Sequence, residues 1–237
     1  MSLPIVILAG GLATRLRPIS ERIPKVLVEV EGRPFAEHQL ALLHRHGIRQ
    51  AVFCIGHLGE QVEAALGDGS RWGMELRYSF DGPTLMGTGG AIRQALPLLG
   101  EAFLVLYGDA YLPCDYQAVA KIFVESGKLG LMTVFRNEDR WDRSNVIFAN
   151  GAILRYDKQQ RTPEMRHIDY GLGALRAEAF ARYPADQPID LAIIYQDLLA
   201  DGQLAGFEVS QRFYEIGSHT GLDETRHYFA QRGDTTS

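Results

Sequence analysis

Gly10 and Gly11 close a short apolar run, Ile5 to Ala9, and three cations follow them: Arg15, Arg17 and Lys25. Glycines let a flat base or a phosphate approach the backbone, and they tolerate φ values that other residues resist. Pro18 and Pro24 stiffen the path between the cations, so the charges need little reordering on binding. This is how a pocket for a polyphosphate is built. An acid stands at the end of a second apolar run, where Phe103 to Tyr107 meets Gly108-Asp109. Taken alone, such an aspartate could equally cap the following turn.

The elements that must position these groups alternate along the chain. Ile5 to Ala9 reads as a buried strand. Gly32-Arg33-Pro34 precedes a helix with Ala36, Leu40 and Leu43 at helical spacing, Pro34 suiting its first turn. A strand over Gln50 to Ile55 and a helix over Glu60 to Leu66, stopped by Gly67, come next. Met74 to Phe80 reads as a strand, and a further helix opens at Thr88-Gly89-Gly90 with Thr88 as its cap. Glycines in a first helical turn cost about 1 kcal/mol each against Ala, so something is expected to pack on that bare backbone. Phe103 to Tyr107 has the look of the central strand. After it come a helix over Tyr116 to Ser126, a strand over Leu129 to Phe135, and a hairpin of Val146 to Phe148 with Ala152 to Tyr156 about Asn150-Gly151. Between these, the polar stretch Arg136 to Asn145 reads as a mobile loop. A strand over Tyr170 to Leu175, a helix over Asp190 to Ala200 and a closing helix capped by Ser218 complete the pass. The rhythm predicts an α/β fold, a parallel sheet with helices on both faces and ligands beyond the carboxyl ends of its strands.

The wording A-G-G-x-x-T-R-L-x-P from Ala9 to Pro18, followed by Pro24-Lys25, closely resembles the signature of the sugar-1-phosphate nucleotidyltransferases. The likeness covers nearly the whole chain. It implies a Rossmann-like three-layer fold with a mixed, mostly parallel central sheet. It also implies an enzyme that joins a nucleoside triphosphate to a sugar 1-phosphate and releases pyrophosphate. By the same resemblance Arg15 and Lys25 are catalytic, and Leu8, Ala9, Gly10, Gly11, Gly87, Thr88 and Gly89 hold the nucleotide. Asp109 and Glu215 would bind Mg²⁺ as the cofactor, while Asp157, Lys158 and Gly171 would hold the sugar phosphate. The chain departs from the family at three places. Ala13 and Gln159 stand where many members carry Gly and Pro. Glu215 replaces an Asp, which moves a carboxylate outward by ~1.5 Å. Small bacterial mannose- or heptose-1-phosphate guanylyltransferases are the nearest likeness, with uridylyl- and thymidylyltransferases as alternatives.

Composition narrows the rest. A chain of 237 residues, 46% of them hydrophobic, suffices for one sizeable domain, with a nucleotide half over about 1–112 and a sugar half over about 113–232. The net charge of −5 argues against a general nucleic-acid binder. Two cysteines, Cys54 and Cys114, make no disulfide framework, and no apolar run is long enough to span a bilayer. A cytoplasmic enzyme, with no membrane partner and with a homo-oligomer left open, is the expectation. Rival readings lack their own marks: Asp109-Ala110-Tyr111 is no Asp-x-Asp of a glycosyltransferase, and neither G-x-G-x-x-G nor a P-loop occurs. A non-catalytic nucleotide-binding protein on the same fold also stays open.

Overall fold

Apolar side chains on the central strands divide between two faces, because successive strand residues point to opposite sides of a sheet. Ile5 and Ile7 pack into one core with Ala51, Phe53, Leu104 and Leu106, whereas Val6 packs into a second core with Val52, Phe103 and Val105. The computed structural model describes residues 3–11, 14–82, 84–184 and 187–232. Its elements begin with β1 (Ile5–Leu8), β2 (Glu29–Val30), β3 (Arg33–Pro34), α1 (Phe35–Arg45), β4 (Gln50–Ile55) and α2 (Gly59–Leu66). Next come β5 (Glu75–Phe80), α3 (Gly87–Leu99), β6 (Ala102–Tyr107), β7 (Ala110–Tyr111), α4 (Tyr116–Ser126) and β8 (Gly130–Arg136). The chain then runs through β9 (Val146–Ala149), β10 (Ala152–Tyr156), β11 (His167–Arg176), α5 (Leu191–Ala200), β12 (Leu204–Val209), β13 (Tyr214–Glu215) and α6 (His219–Arg232).

A nine-stranded mixed sheet forms the middle layer, in the order β10-β9-β11-β6-β1-β4-β5, with β8 on β11 and β12 on β8. The strands that carry the first half of the site run parallel, β6 and β4 flanking β1. β11 is the antiparallel seam that joins this half to β8 and β9. Residues of α1, α4 and α6 line the first core and residues of α3 and α5 the second, which gives three layers. None of the described helices is long and apolar enough to cross a membrane.

Two expectations need correction, and one strand was not foreseen. Thr88 does not cap its helix: α3 begins at Gly87, and Met86 at the N-cap offers no side-chain hydrogen bond. The first amides of α3 are satisfied from elsewhere, since Gly89 and Gly90 donate to the Ile189 carbonyl at 2.9 and 3.2 Å. Thr88 instead faces the start of α5, where its hydroxyl donates to Asp190 Oδ1 at 3.2 Å and accepts from the Leu191 N–H at 2.8 Å. Thr88→Val should therefore destabilise the chain by about 1–3 kcal/mol, as an amide loses its acceptor; urea denaturation measures this.

The second concerns the stretch after β8, expected to be a mobile loop. It is held by its own polar groups. Asn137, fully buried, donates to the Asp142 carbonyl at 2.5 Å and to Ser144 Oγ at 3.3 Å, and accepts from the Trp141 N–H at 3.3 Å. Arg212 stacks on Trp141, 3.4 Å from the ring centroid, and ties the loop to the segment before β13. The unforeseen strand is β12, whose run Leu204–Val209 holds Gly206 and Glu208 among its apolar residues. Gly206 is needed there, since a Cβ would stand 2.8 Å from the Phe148 ring and 2.9 Å from Ile153.

Candidate active site

Three chain segments leave the carboxyl ends of parallel strands and enclose one cavity. The first, Leu8 to Gly11, follows β1; the second, Gly108-Asp109, follows β6; the third, with Asp81, Leu85, Gly87 and Thr88, follows β5. Backbone hydrogen bonds hold the first two in register, Ala9 N–H to Cys54 O at 2.8 Å and Gly108 N–H to Leu8 O at 2.9 Å. Gly108 has no room for a side chain, because a Cβ would lie 2.8 Å from Leu8 O and 2.9 Å from Val26. Gly10 is similarly confined by Asp81 and Gly56, whereas Gly11 faces open space. Leu12 and Ala13 lie outside the described residues, so the Ala13 departure has no structural account.

At one end of the cavity, Lys25 Nζ lies 2.5 Å from Asp109 Oδ2. Lys25 is delivered by a 3-10 turn over Lys25–Leu27, whose Val26 is anchored in the core. The two-stranded ladder of β7 with β13 then brings Glu215 alongside, opposite Ala110, and Ile216 N–H donates to Asp109 O at 2.9 Å. Gly217 is the meeting point. A Cβ placed there would stand 2.5 Å from Glu215 Oε2, 2.9 Å from Asp109 Oδ2 and 3.2 Å from Arg15 Nη2. Ser218 donates to Glu215 Oε1 at 2.6 Å and the Gly217 N–H donates to Oε2, so the carboxylate is held in orientation. Ser218 also accepts from the Gly221 N–H at 3.0 Å at the start of α6, as a cap should. Arg15 is exposed at the rim of this cluster, while Arg17 points away to pair with Glu21 at 3.7 Å.

At the other end lie Cys54, Asp81, Leu85 and Ala91. Burial pushes the Asp81 carboxyl up from the usual aspartate range, and burial also raises the Cys54 thiol, with the Asp81 charge adding to it. Gly87 and Thr88 line the cavity. Gly89 does not: a Cβ on it would stand 2.9 Å from Ile194 and 3.1 Å from Ile189, so its bareness serves the contact of α3 with α5.

Beyond Tyr107 is the side on which the sugar residues were expected. Lys158 Nζ lies 5.6 Å from the ring of Tyr107, which lines the cavity, and 5.9 Å from that of Tyr156. Gly171 packs beside Tyr107, 3.6 Å from it at the Cβ position, with φ of +95° at an irregularity in β11 between Asp169 and Gly173. Asp157 is turned to local work, accepting from the Gln159 and Gln160 amides at 2.8 and 2.7 Å, bonds that lower its carboxyl. The acid that faces this side is Asp169. It accepts from Tyr156 OH at 3.2 Å and from the Gly171 N–H at 3.1 Å. Its charge adds to burial in raising Tyr107, Tyr156 and Tyr195. An acid inside an otherwise apolar strand was the available signal for Asp169.

Comparison with known proteins adds a family and a fold. The family profile described as nucleotidyl transferase matches residues 5–145. A UTP--glucose-1-phosphate uridylyltransferase of Synechocystis is 29% identical over 224 residues, 88% of this chain and 58% of that protein. An N-acetylmuramate alpha-1-phosphate uridylyltransferase of Neisseria meningitidis is 41% identical over 114 residues, 48% of this chain and 49% of that protein. The matches thus span about half to three-fifths of these relatives' lengths. An inositol-1-phosphate CTP transferase from T. maritima shares the fold, with a TM-score of 0.79 at 19% identity over 100% of this chain and 98% of that one. With more than half of its length matched by the profile, and the cavity built from the matched strands, this chain belongs to the nucleotidyl transferase family.

Proposed function

We propose that the chain transfers a nucleotidyl group from a nucleoside triphosphate to a sugar 1-phosphate. An oxygen of the sugar phosphate forms a bond to the α-phosphorus, the bond from that phosphorus to the bridging oxygen of the β-phosphate breaks, and pyrophosphate leaves with the electron pair. A phosphomonoester is already largely ionised at neutral pH, its second pKa being about 6, so no strong base is required. The chain's task is alignment and charge neutralisation.

The observation that supports this reading most is the convergence of Arg15, Asp109 and Glu215 on Gly217, with Lys25 on Asp109. Lys25, a compact cation at the cavity floor, faces the α-phosphate and the incoming phosphate. Arg15 offers its planar fork to the departing pyrophosphate. Asp109 and Glu215 fit Mg²⁺: two hard carboxylates converge on one point, and that ion takes one or two carboxylates with phosphates and water completing its shell. No larger acid, histidine or cysteine cluster among the described residues competes for it. Bound there, Mg²⁺ supplies Lewis-acid stabilisation of the reacting phosphate. In this reading Lys158 binds the sugar phosphate, and Asp169 rather than Asp157 binds sugar hydroxyls.

The test is a matrix of the four ribonucleoside triphosphates and thymidine triphosphate against several sugar 1-phosphates, following pyrophosphate. Release that requires both substrates and Mg²⁺ is the expected result. No release with any pair, or release indifferent to the sugar phosphate, would overturn the reading.

A further inference from the structure

Behind the acid that follows β6 lies a polar side chain that the transfer step does not touch. Gln39, on α1, is 1% exposed and does not line the cavity. Its Nε2 donates to Ala110 O at 2.8 Å and to Tyr107 O at 3.2 Å. Between those two carbonyls lie Gly108 and Asp109, so one side-chain amide spans the turn that presents the acid. Both hydrogens of that nitrogen are used. The other half of the amide is left over: Gln39 Oε1 is buried with no partner among the described residues. Turning the amide over would set that oxygen against two carbonyl oxygens. A buried acceptor without a donor is costly, and the chain keeps this one in order to place the two donors.

The base on which Gln39 stands is firm. Phe35, Ala36, Leu40 and Leu43 of α1 are fully buried in the first core. The Phe35 N–H donates to Val28 O at 3.0 Å, directly after the turn that delivers Lys25. One helix therefore braces the Lys25 turn at its start and the Asp109 turn four residues later. The two acids differ in what fixes them. Glu215 has both carboxylate oxygens bonded, by Ser218 and by the Gly217 N–H. The Asp109 carboxylate meets Lys25, a group that transfer directs toward phosphate. The place of Asp109 then rests on its main chain, where Gly108 N–H donates to Leu8 O, Ile216 N–H donates to Asp109 O, and Gln39 holds the carbonyls on either side.

We infer that Gln39 is a positioning residue: it clasps the Gly108-Asp109 turn and keeps the Asp109 carboxylate at the point it shares with Glu215. This rests on the transfer reading above and on its assignment of Mg²⁺ to those two acids. Mg²⁺ demands near-ideal octahedral geometry, so a small drift of one ligand is felt. Groups that orient a metal ligand from behind are worth about 10- to 100-fold in metal affinity or activity.

The test uses Mn²⁺ alone as the probe, a cation suited to the same oxygen ligands. It is titrated into the natural chain, Gln39→Met, Gln39→Asn and Asp109→Ala, with free Mn²⁺ counted by its electron paramagnetic resonance signal. Gln39→Met keeps the reach and loses the donors; Gln39→Asn keeps an amide but draws it back by ~1.5 Å. Each should weaken Mn²⁺ binding about 10-fold or more. The Mg²⁺ concentration for half-maximal turnover should rise by the same factor, with turnover largely recovered at saturating Mg²⁺. A merely structural role would lower the melting temperature and leave the Mn²⁺ affinity of the folded chain unchanged. Unchanged affinity in both Gln39 variants, with Asp109→Ala weakened, would overturn the inference and leave the transfer reading intact. Unchanged affinity in Asp109→Ala as well would remove the metal from that acid, and the inference with it. Should no substrate pair release pyrophosphate, the transfer reading falls, and the Mn²⁺ titration still decides the role of Gln39. If Gln39→Met does not fold, Gln39→Asn decides it.

Discussion

Replacing Lys25 with alanine is expected to lower turnover about 100- to 1,000-fold, the range for removing one preorganised donor from a transition state. Lys25 sits 2.5 Å from Asp109 and is only partly exposed, and it is the one lysine or arginine among the described residues that line the cavity. The Arg15 guanidinium, 3.2 Å from the Cβ position of Gly217, belongs to an exposed side chain. Asp109→Ala should fall by a comparable factor, and the double variant by little more than the worse single one, because groups that act as a unit are not additive. Lys25→Arg should recover only part of the loss, since a planar fork does not occupy the site of a point charge. Single-turnover measurements at saturating substrates, with thermal melts to show that each variant folds, are the check. Near-normal turnover in Lys25→Ala would remove it from the chemistry.

Gly221→Ala, in the first turn of α6, is expected to lower turnover about 100-fold at fixed Mg²⁺, on the same scale of a lost electrostatic contact. A Cβ on Gly221 would stand 1.8 Å from Glu215 Oε1, 2.4 Å from its Cδ and 2.7 Å from its backbone oxygen. Moving only the tip of the side chain does not relieve the last of these, and the far side of the carboxylate is already taken by Gly217 and Ser218. Glu215 must therefore leave its position next to Asp109. Overpacking of this kind also destabilises by about 1–3 kcal/mol. A titration of turnover against Mg²⁺ separates the two effects: displacement of the acid raises the concentration needed, whereas loss of stability alone lowers the amplitude. An unchanged Mg²⁺ requirement would show that Glu215 does not hold the metal.

Much of the scaffold was legible because its signals are local. Helix α4 forms over Tyr116–Ser126 as its pattern predicts, with Asp115 accepting from the Gln117 and Ala118 amides. The Asn150-Gly151 turn forms with both residues at positive φ, as that dipeptide favours. Gly67 ends α2 at a positive φ of 60°. The first-turn glycines of α3 were rightly expected to meet a close neighbour, but the neighbour is the chain's own Ile189 carbonyl. Nothing near Gly89 in sequence could have announced a partner from the far half of the chain. For the same reason Asp157, next to Lys158 in sequence, faces its own turn, while Asp169 is the acid that reaches the tyrosines.

From residue types and their order alone came the phosphate-binding loop, the acid after the central strand, and the alternation that makes a layered α/β sheet, since each depends on neighbours a few positions apart. Only the folded chain decided that Glu215 meets Asp109, that Gly89 belongs to packing, and that Asp81 lines the same cavity as Lys25. Those are contacts between distant segments, set by sheet order and by which face each side chain takes, and no short stretch of sequence carries them.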